Sequence, residues 1–271
     1  MALAEVIFFW ATVFTYVAAF CFHLFGFVSG KKSLVSYGIR LLWLGLLFNT
    51  ITGSIRWVAG GHLPVTGTYE LNLTCSWFVI LLFLAFERAK KVEGFIAIVV
   101  IPIIFLVLGN GFLQRAEAVP MGPAFHSLWL VVHVIFAWLA FGCYAMATGA
   151  ALFLLLKQGG VKWKALDKTP EPEKLDVSSY RFIVIGFITH AVMLVSGAIW
   201  AKKLWGHYWS WNALDTWSLI SFLIYAFILH VRVFRGWKMQ RAAWITMLGI
   251  VALAISYWGV ELFGPTPHPG P

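Results

Sequence analysis

Residues 127–156 read SLWLVVHVIFAWLAFGCYAMATGAALFLLL and contain no Asp, Glu, Lys or Arg. An α-helix needs about 20 predominantly apolar residues to cross a hydrocarbon core ~30 Å thick, so this stretch predicts a membrane-spanning helix. The stretch is long enough to tilt in the bilayer or to project beyond it. It also carries an imidazole, His133, and an ionisable side chain inside a span usually faces the bundle interior or a cavity.

Similar apolar runs occupy most of the chain. Of its 271 residues, 61% are hydrophobic and 11% are charged, whereas a soluble domain carries about 25% charged residues. The sequence therefore predicts an all-α, polytopic membrane protein with about eight transmembrane helices. Besides 127–156, the predicted spans are 5–28, 37–58, 70–87, 94–113, 182–203, 217–234 and 242–262.

The basic residues are distributed unevenly between the two ends of these spans. Sixteen of the 20 Lys and Arg residues fall on one side, and four fall on the other. Lys and Arg near span ends are retained on the cytoplasmic side, so we expect both termini to lie outside the cytoplasmic (inner) membrane. The net charge of +9 then reflects membrane topology and does not indicate a nucleic-acid partner. The four outer cations are Arg56, Arg115, Lys202 and Lys203.

One segment interrupts the pattern of short loops. Residues 158–181 are rich in charge and Pro and lie on the predicted cytoplasmic side. We interpret them as a linker within one membrane domain, between a five-span block (1–157) and a three-span block (182–271). The chain has no phosphate-binding glycine loop, no dinucleotide-binding pattern and no CxxC pair, which argues against nucleotide chemistry and thiol redox chemistry.

Four tryptophans lie close together in the outer segment WGHYWSWNALDTW (205–217). An interfacial aromatic belt explains one or two aromatic residues per span end, so membrane anchoring accounts poorly for a compact cluster. Read as a helix, the segment places Trp205, Trp209 and Trp217 near one face. Such a plate suits a large, flat, apolar ligand, because aromatic faces stack on planar π systems. Gly206 would let the backbone come close to that ligand. A porphyrin fits best, since its iron also takes an axial base.

Histidines that could supply such a base occur near both predicted faces. His23 and His230 lie at matching depth, near the cytoplasmic ends of the first and seventh spans. For a single histidine in a span, a hydrogen-bonded packing role is the usual explanation. Two histidines at equal depth on different helices also fit the geometry of bis-imidazole iron ligation. His133 with a partner from an outer segment gives a second candidate site.

The tryptophan-rich segment resembles the WGxxWxWD signature, or WWD domain, of the haem-handling proteins of cytochrome c biogenesis. The chain is similar to the CcsA/ResC type, the membrane subunit of the system II cytochrome c synthase. The resemblance covers nearly the whole chain and is more specific than the tryptophans alone. The other matching stretches are GHLPVTGTYE (61–70), LWLVVHV (128–134), LDVSSYR (175–181), SGAIWA (196–201) and SLISFLIYAFILHVR (218–232).

This resemblance implies roles for individual residues. His133 and His268, in the tail motif HPG, would be the axial iron ligands of an outer haem. His230 would ligate an inner-leaflet haem, and His23 is assigned as its partner by position, with a packing role as the alternative. The haem platform would consist of Trp205, Gly206, Trp209, Trp211 and Trp217.

The signature departs from the family pattern at its polar end. Asn212 stands where the family usually has Asp, and Ala213, Leu214 and Asp215 replace Pro-Lys-Glu. One carboxylate is thus kept, that of Asp215, three residues after Asn212. We expect Asn212 and Asp215 to belong to the haem-binding segment, with an altered salt bridge or propionate contact. The tail also lacks the HSYG that the family usually has at its histidine.

The function that the resemblance implies is delivery of haem to cytochrome c. The protein would bind haem b as a substrate, move it across the membrane and present it at the periplasmic (extracytoplasmic) face. There the haem would be attached through thioether bonds to an apocytochrome c carrying a CxxCH motif. The chain would act in a cytochrome c synthase (haem lyase)-type complex with a CcsB/ResB-type subunit, surrounded by membrane lipid. The apocytochrome would supply the thiols from its CxxCH motif, so the resemblance implies no catalytic side chain in this chain.

Two other functions are consistent with the same residues. One is a haem-carrying electron-transfer subunit of a membrane quinol oxidoreductase, which would hold its haem permanently. The other is a haem-free family member with a transport or regulatory role, which the altered signature permits. The outer histidines border a loop-rich surface, and this favours release of haem over retention.

Overall fold

The computed structural model describes residues 2–115, 117–118, 122 and 125–259. Within these ranges no residue lies in a β-strand, and eight helices are long and apolar enough to cross a membrane. The all-α, eight-span prediction is confirmed, and the position of both termini outside stays a prediction. The helices are α1 (Ala2–Ser29), α2 (Lys32–Gly60), α3 (Thr68–Arg88), α4 (Ala97–Leu113), α5 (Leu128–Gln158), α6 (Pro172–Trp205), α7 (Ala213–Phe234) and α8 (Gln240–Ala254).

The described residues form two compact units, one before residue 127 with α1–α4 and one from Ser127 onward with α5–α8. The division lies before α5, whereas the sequence analysis places it in the 158–181 segment. The physical reason is that α5 and α6 pack along one another as a hairpin. For example, Ser179 Oγ of α6 donates to the backbone carbonyl of Ala147 of α5 at 3.1 Å.

The segment predicted as a linker is ordered and partly helical. α6 begins at Pro172, and proline suits the first turn because its φ is preset and it has no N–H donor to lose. In the preceding turn Leu166 is buried. Lys157 Nζ donates to the carbonyls of Thr169 and Pro170 at 2.9 and 3.0 Å. Four of the nine charged residues of this segment belong to a helix end that extends beyond the apolar core, which composition does not distinguish from a linker.

Buried charges tie together the helices of the first unit. Arg56 Nε donates to Glu70 Oε1 at 2.9 Å, and Glu70 Oε2 accepts from the N–H and the hydroxyl of Thr66 at 3.2 and 3.0 Å. Glu5 Oε1 lies 3.9 Å from Arg56 and 3.3 Å from Arg115. Because a buried ion is tolerated only when it is paired and hydrogen-bonded, this cluster fixes α1, α2 and α3 at one end of the unit.

A second buried ion pair joins α6 to α7 in the second unit. Arg232 donates to both carboxylate oxygens of Asp176, at 2.9 and 2.8 Å, and each side chain is 7% exposed. The free Oδ1 lone pair of Asp176 also accepts the backbone N–H of Met239 at 3.1 Å. This bidentate geometry is the strong form of the Arg–carboxylate pair. It fixes both the α6–α7 contact and the turn that leads into α8.

Candidate functional site

The imidazole of His133 lies in the second turn of α5 and packs against α6. Its Nδ1–H donates to the backbone carbonyl of Met193 at 2.9 Å. Ser196 Oγ donates to the same carbonyl at 3.0 Å. Gly197 makes room for the ring, since a Cβ at this position would lie 2.6 Å from His133 Nδ1 and 2.9 Å from its Cε1. The ring is therefore oriented by the α6 backbone and by the absence of a side chain opposite it.

The hydrogen bond to Met193 sets the tautomer of His133. A carbonyl oxygen can only accept, so Nδ1 carries a proton, and in the neutral ring the lone pair is then on Nε2. Histidines that ligate a metal usually donate their other N–H to a carbonyl or carboxylate, which fixes the ring and makes the ligating nitrogen more basic. His133 therefore has the supporting contact expected of an iron ligand that binds through Nε2.

Indole rings extend from His133 toward the C-terminal end of α6. The Trp200 ring centroid lies 6.4 Å from that of His133, with 31° between the ring planes. The Trp205 ring follows at 5.7 Å from Trp200. Trp200 is 6% exposed, and Trp205 is half-buried. The imidazole is thus continuous with an aromatic surface that reaches the tryptophan-rich segment.

The structure corrects the interpretation of residues 205–217 as one helix. α6 ends at Trp205, and Gly206 follows with φ 81°, the left-handed conformation that terminates many helices. The next helix begins only at Ala213. Trp209 therefore lies on a loop between two helices, and the aromatic surface is a loop-borne cluster instead of a helical plate.

The loop holds its two tryptophans in a specific arrangement. The rings of Trp209 and Trp211 meet edge to face, with centroids 5.8 Å apart. Trp211 has φ 56°, which is uncommon for a bulky residue, and such strain clusters at functional sites. Trp211 is 71% exposed, whereas the Nε1–H of Trp209 is buried and has no hydrogen-bond partner in the described part of the chain. Buried donors without partners are rare, so this indole suits an acceptor on a ligand.

Asn212 and Asp215 hold the start of α7. The side-chain oxygen of Asn212 accepts the backbone N–H of Asp215 at 2.8 Å, which caps the helix. The Asp215 carboxylate reaches back and accepts the N–H and the hydroxyl of Ser210 at 3.0 and 2.9 Å. This reciprocal arrangement is related to the capping box. Two of the residues that depart from the family signature thus determine the shape of the loop that carries Trp209 and Trp211. Trp217 follows half-buried on α7.

The other histidines of the second unit differ in accessibility. His190 is 2% exposed, with its Nδ1 3.4 Å from the hydroxyl of Tyr144, and its ring meets Phe222 edge to face. It is a core residue. His230, the predicted inner ligand, is exposed on α7, with its ring 4.7 Å from that of Phe234.

His23, the predicted partner of His230, is completely buried in the first unit. It packs against Gly38 of α2, where a Cβ would lie 2.8 Å from His23 Nε2. Neither ring nitrogen has a hydrogen-bond partner within the described residues. For His23 to ligate iron, α1 and α2 would have to separate. His268, the predicted partner of His133, lies outside the described residues.

The residues that support His133 could not be predicted from the sequence. Met193, Gly197 and Trp200 contact its ring, and none was predicted as part of the site. The stretch SGAIWA (196–201) contained a signal, because it places a glycine and a tryptophan one helical turn apart. Which α5 residue they face depends on how two helices pack, and that information is absent from either helix alone.

Comparison with known proteins gives consistent matches. A family model described as "Cytochrome C assembly protein" matches residues 65–268. The cytochrome c biogenesis protein CcsA of Synechococcus sp. (strain WH7803) is 31% identical over 281 residues, covering 88% of this chain and 85% of that protein. The CcsA protein of Mesostigma viride is 30% identical over 259 residues, covering 83% and 84%.

A solved structure shares the fold. The cytochrome c haem lyase CcmF superposes with a TM-score of 0.70 at 16% sequence identity, covering 98% of this chain and 48% of that chain. The chain thus spans about half the length of that protein. At this identity the likeness concerns the arrangement of the helices.

Proposed function

This chain belongs to the cytochrome c assembly protein family, and from that premise we propose that it binds haem b and presents it at the extracytoplasmic face for attachment to apocytochrome c. Its role in cytochrome c maturation and its multi-pass membrane character follow from the family and from the eight apolar helices. We propose in addition which ligand the protein binds, at which face of the membrane it presents that ligand, and which residues hold it. We also propose that the membrane is the cytoplasmic (inner) membrane, with the Lys- and Arg-rich ends of the spans facing the cytoplasm.

One observation carries the proposal: the Nδ1–H of His133 donates to the Met193 carbonyl at 2.9 Å beside a surface of indole rings. The contact directs the Nε2 lone pair for iron, and the adjacent indoles offer planar faces to a porphyrin. The buried Nε1–H of Trp209 is a donor suited to a haem propionate. Trp205, Gly206, Trp211 and Trp217 complete the proposed platform.

Asn212 and Asp215 act in this proposal as positioning residues. Their contacts with each other and with Ser210 fix the loop between α6 and α7. This explains how the chain can depart from the family signature and still present its tryptophans. His268 is the proposed second axial ligand of the same iron.

The chemistry that this site would support is thiol addition. Each of the two acceptor thiols adds across one haem vinyl group, so that one vinyl carbon gains sulfur and the other gains hydrogen, with no atom lost. The protein contributes no nucleophile. The protein would contribute by positioning the haem vinyl groups beside the acceptor thiols. Holding two reactants within reach of one another can lower a barrier by roughly 7–11 kcal/mol. The axial imidazole of His133 keeps the iron ligated until the histidine of the CxxCH motif replaces it.

The inner end of the proposed haem path begins at His230. Its imidazole is exposed on α7 and can meet a haem that arrives from the membrane or from a partner. His23 is enclosed by α2, so it would join only after a helix movement, and a CcsB/ResB-type subunit is the alternative source of the second ligand. Transfer of haem from this end to His133 is the transport step of the proposal.

Haem transfer to an acceptor tests this function. Membranes that contain the chain with its partner subunits are loaded with haem and mixed with an apocytochrome bearing CxxCH. We expect exchangeable, substoichiometric haem and covalent haem on the acceptor, measured by absorption and by mass spectrometry. The His133→Ala variant should lose both. The matched control is His207→Ala, which removes an exposed imidazole that is not a proposed ligand from the same loop as Trp209.

The other outcomes identify the alternatives. Tight, stoichiometric haem with reversible redox cycling and no transfer would indicate an electron-transfer subunit. Absence of haem from every sample, including those loaded in membranes, would indicate a haem-free family member. Either result would contradict the proposed function.

A further inference from the structure

The turn between α7 and α8 borders a basic cavity at one end of the second unit. The cavity has a volume of ≈ 640 Å³ and is lined by Arg235, Lys238 and Arg241, together with Trp237 and with Gln158 of α5. Three of the lining side chains are cations, and no lining residue is acidic. A cavity with this charge favours an anionic ligand.

Buried contacts hold this turn in one conformation. The N–H of Met239 donates to Asp176 Oδ1 at 3.1 Å, and the N–H of Trp237 donates to the carbonyl of Val231 at 3.2 Å. Met239 keeps φ 57°, a conformation that is uncommon for a residue with a side chain. The Asp176 carboxylate is already paired with Arg232 at 2.8 Å. It therefore orders the turn without neutralising the cations that line the cavity.

The cavity lies where spans end. α5 and α7 finish beside it and α8 starts from it, so the cations lie at the depth of lipid headgroups. Large exposed apolar side chains precede and follow the lining residues in the sequence. Phe234, directly before Arg235, is 75% exposed, and Trp244, in the first turns of α8, is 63% exposed. A soluble phosphate compound would make no use of this apolar surface, whereas the acyl chains of a lipid would cover it.

We infer that this cavity binds the phosphodiester of an anionic phospholipid. The guanidinium groups of Arg235 and Arg241 offer paired N–H donors that match phosphate oxygens, and Lys238 adds a point charge. Basic pockets between transmembrane helices are a known means of recognising anionic headgroups. The bound lipid would bridge the end of α5 to the α7–α8 turn. This inference does not depend on haem binding.

Native mass spectrometry of the protein released from detergent micelles tests the site. The full chain is titrated separately with phosphatidylglycerol, phosphatidylcholine and glycerol 3-phosphate. We expect retention of phosphatidylglycerol in preference to phosphatidylcholine, and no retention of glycerol 3-phosphate. Each cation near a membrane surface contributes about fivefold in affinity. The triple variant Arg235→Gln/Lys238→Gln/Arg241→Gln should therefore bind phosphatidylglycerol roughly a hundredfold more weakly.

The matched control is Lys162→Gln/Lys164→Gln/Lys174→Gln. It removes three exposed cations of the same unit outside the cavity, two from the α5–α6 turn and one from the first turn of α6, and should keep most of the affinity. Equal weakening in both triple variants, or none in either, would overturn the inference of a built site. Competition by glycerol 3-phosphate would show that the cavity takes soluble phosphate esters and would overturn the assignment to lipid. Displacement of phosphatidylglycerol by haem in the His230→Ala variant would assign the cavity to haem.

Discussion

Replacing Gly197 by Ala should separate haem affinity from folding stability. A Cβ at this position would lie 2.6 Å from His133 Nδ1 and 2.9 Å from Cε1, so the ring must move. Nδ1 is the atom that donates to the Met193 carbonyl at 2.9 Å, and displacement of the ring breaks or lengthens that bond. A net intramolecular hydrogen bond is worth about 1 kcal/mol. Loss of the partner of a metal-ligating histidine typically costs 10–100-fold in affinity. We expect haem affinity to fall about tenfold.

The free energy of unfolding should change little in the same variant. Ala stabilises a helix interior by roughly 0.5–1 kcal/mol relative to Gly, which offsets the lost hydrogen bond. Haem titration followed by absorption measures the affinity, and thermal unfolding measures the stability. If Gly197 had only a structural role, the substitution would lower haem affinity and the free energy of unfolding together.

Gly186→Ala is the matched control. Gly186 also lies on α6, and a Cβ there would lie 2.6 Å from the Tyr144 ring, away from His133. We expect this variant to lower the melting temperature, because the Tyr144 ring is fully buried and stacked on Tyr225, whereas His133 is only half-buried and its ring can shift. The haem affinity of folded protein should be kept. If Gly197→Ala bound haem with unchanged affinity and spectrum, the proposed orientation of His133 by α6 would be refuted. The same conclusion would follow if Gly186→Ala weakened haem binding equally.

Three further substitutions test the surrounding structure. Asp176→Asn should lower stability by about 3–5 kcal/mol, because it leaves Arg232 buried without its counter-charge; chemical unfolding in detergent measures this. Glu70→Gln should cost less, about 1–3 kcal/mol, because Glu5 Oε1 still lies 3.9 Å from Arg56, and proteolysis of the α2–α3 loop should then accelerate. Asn212→Ala should cost about 1 kcal/mol of cap energy and should increase the haem off-rate, measured by transfer to apomyoglobin.

Each of these substitutions has a result that would contradict its reasoning. Unchanged unfolding of Asp176→Asn would mean that Arg232 finds another partner or reaches solvent. A protease-resistant Glu70→Gln variant would show that the buried cluster is not needed to fix the α2–α3 loop. Asn212→Asp keeps a capping oxygen, so an equal increase in off-rate for Asp and Ala would exclude the cap as the cause.

Much of the fold could be predicted from the sequence because membrane spans are set by length and polarity. A run such as 127–156 has few alternatives to a helix in lipid, since every backbone polar group must be satisfied internally. The start of α6 at Pro172 was not predicted, because charged residues mark a loop and a projecting helix end equally well. The break at Gly206 was not predicted either, because aromatic spacing alone indicated a continuous helix through Trp209.

The candidate site could be predicted only in part, for a different physical reason. His133 and the tryptophans carry chemistry that residue type and motif reveal. The contacts that give His133 its tautomer come from a backbone carbonyl and a missing side chain on another helix, at Met193 and Gly197. Residue type does not indicate which backbone carbonyl will accept a hydrogen bond from a side chain. The exposure of His230 and the burial of His23 also depend on how the helices pack. The equal depth of the two residues in their predicted spans does not determine that packing.

The most direct measurement of the central claim uses His133→Gly with added imidazole. Removal of the side chain leaves a space beside Trp200 that free imidazole can enter to restore an axial base. We expect the absorption spectrum of the imidazole-ligated haem to be lost in the variant and to return as imidazole is titrated, with no such dependence in His207→Gly. A His133→Gly variant that keeps the parent spectrum without imidazole would contradict the claim that His133 ligates the iron.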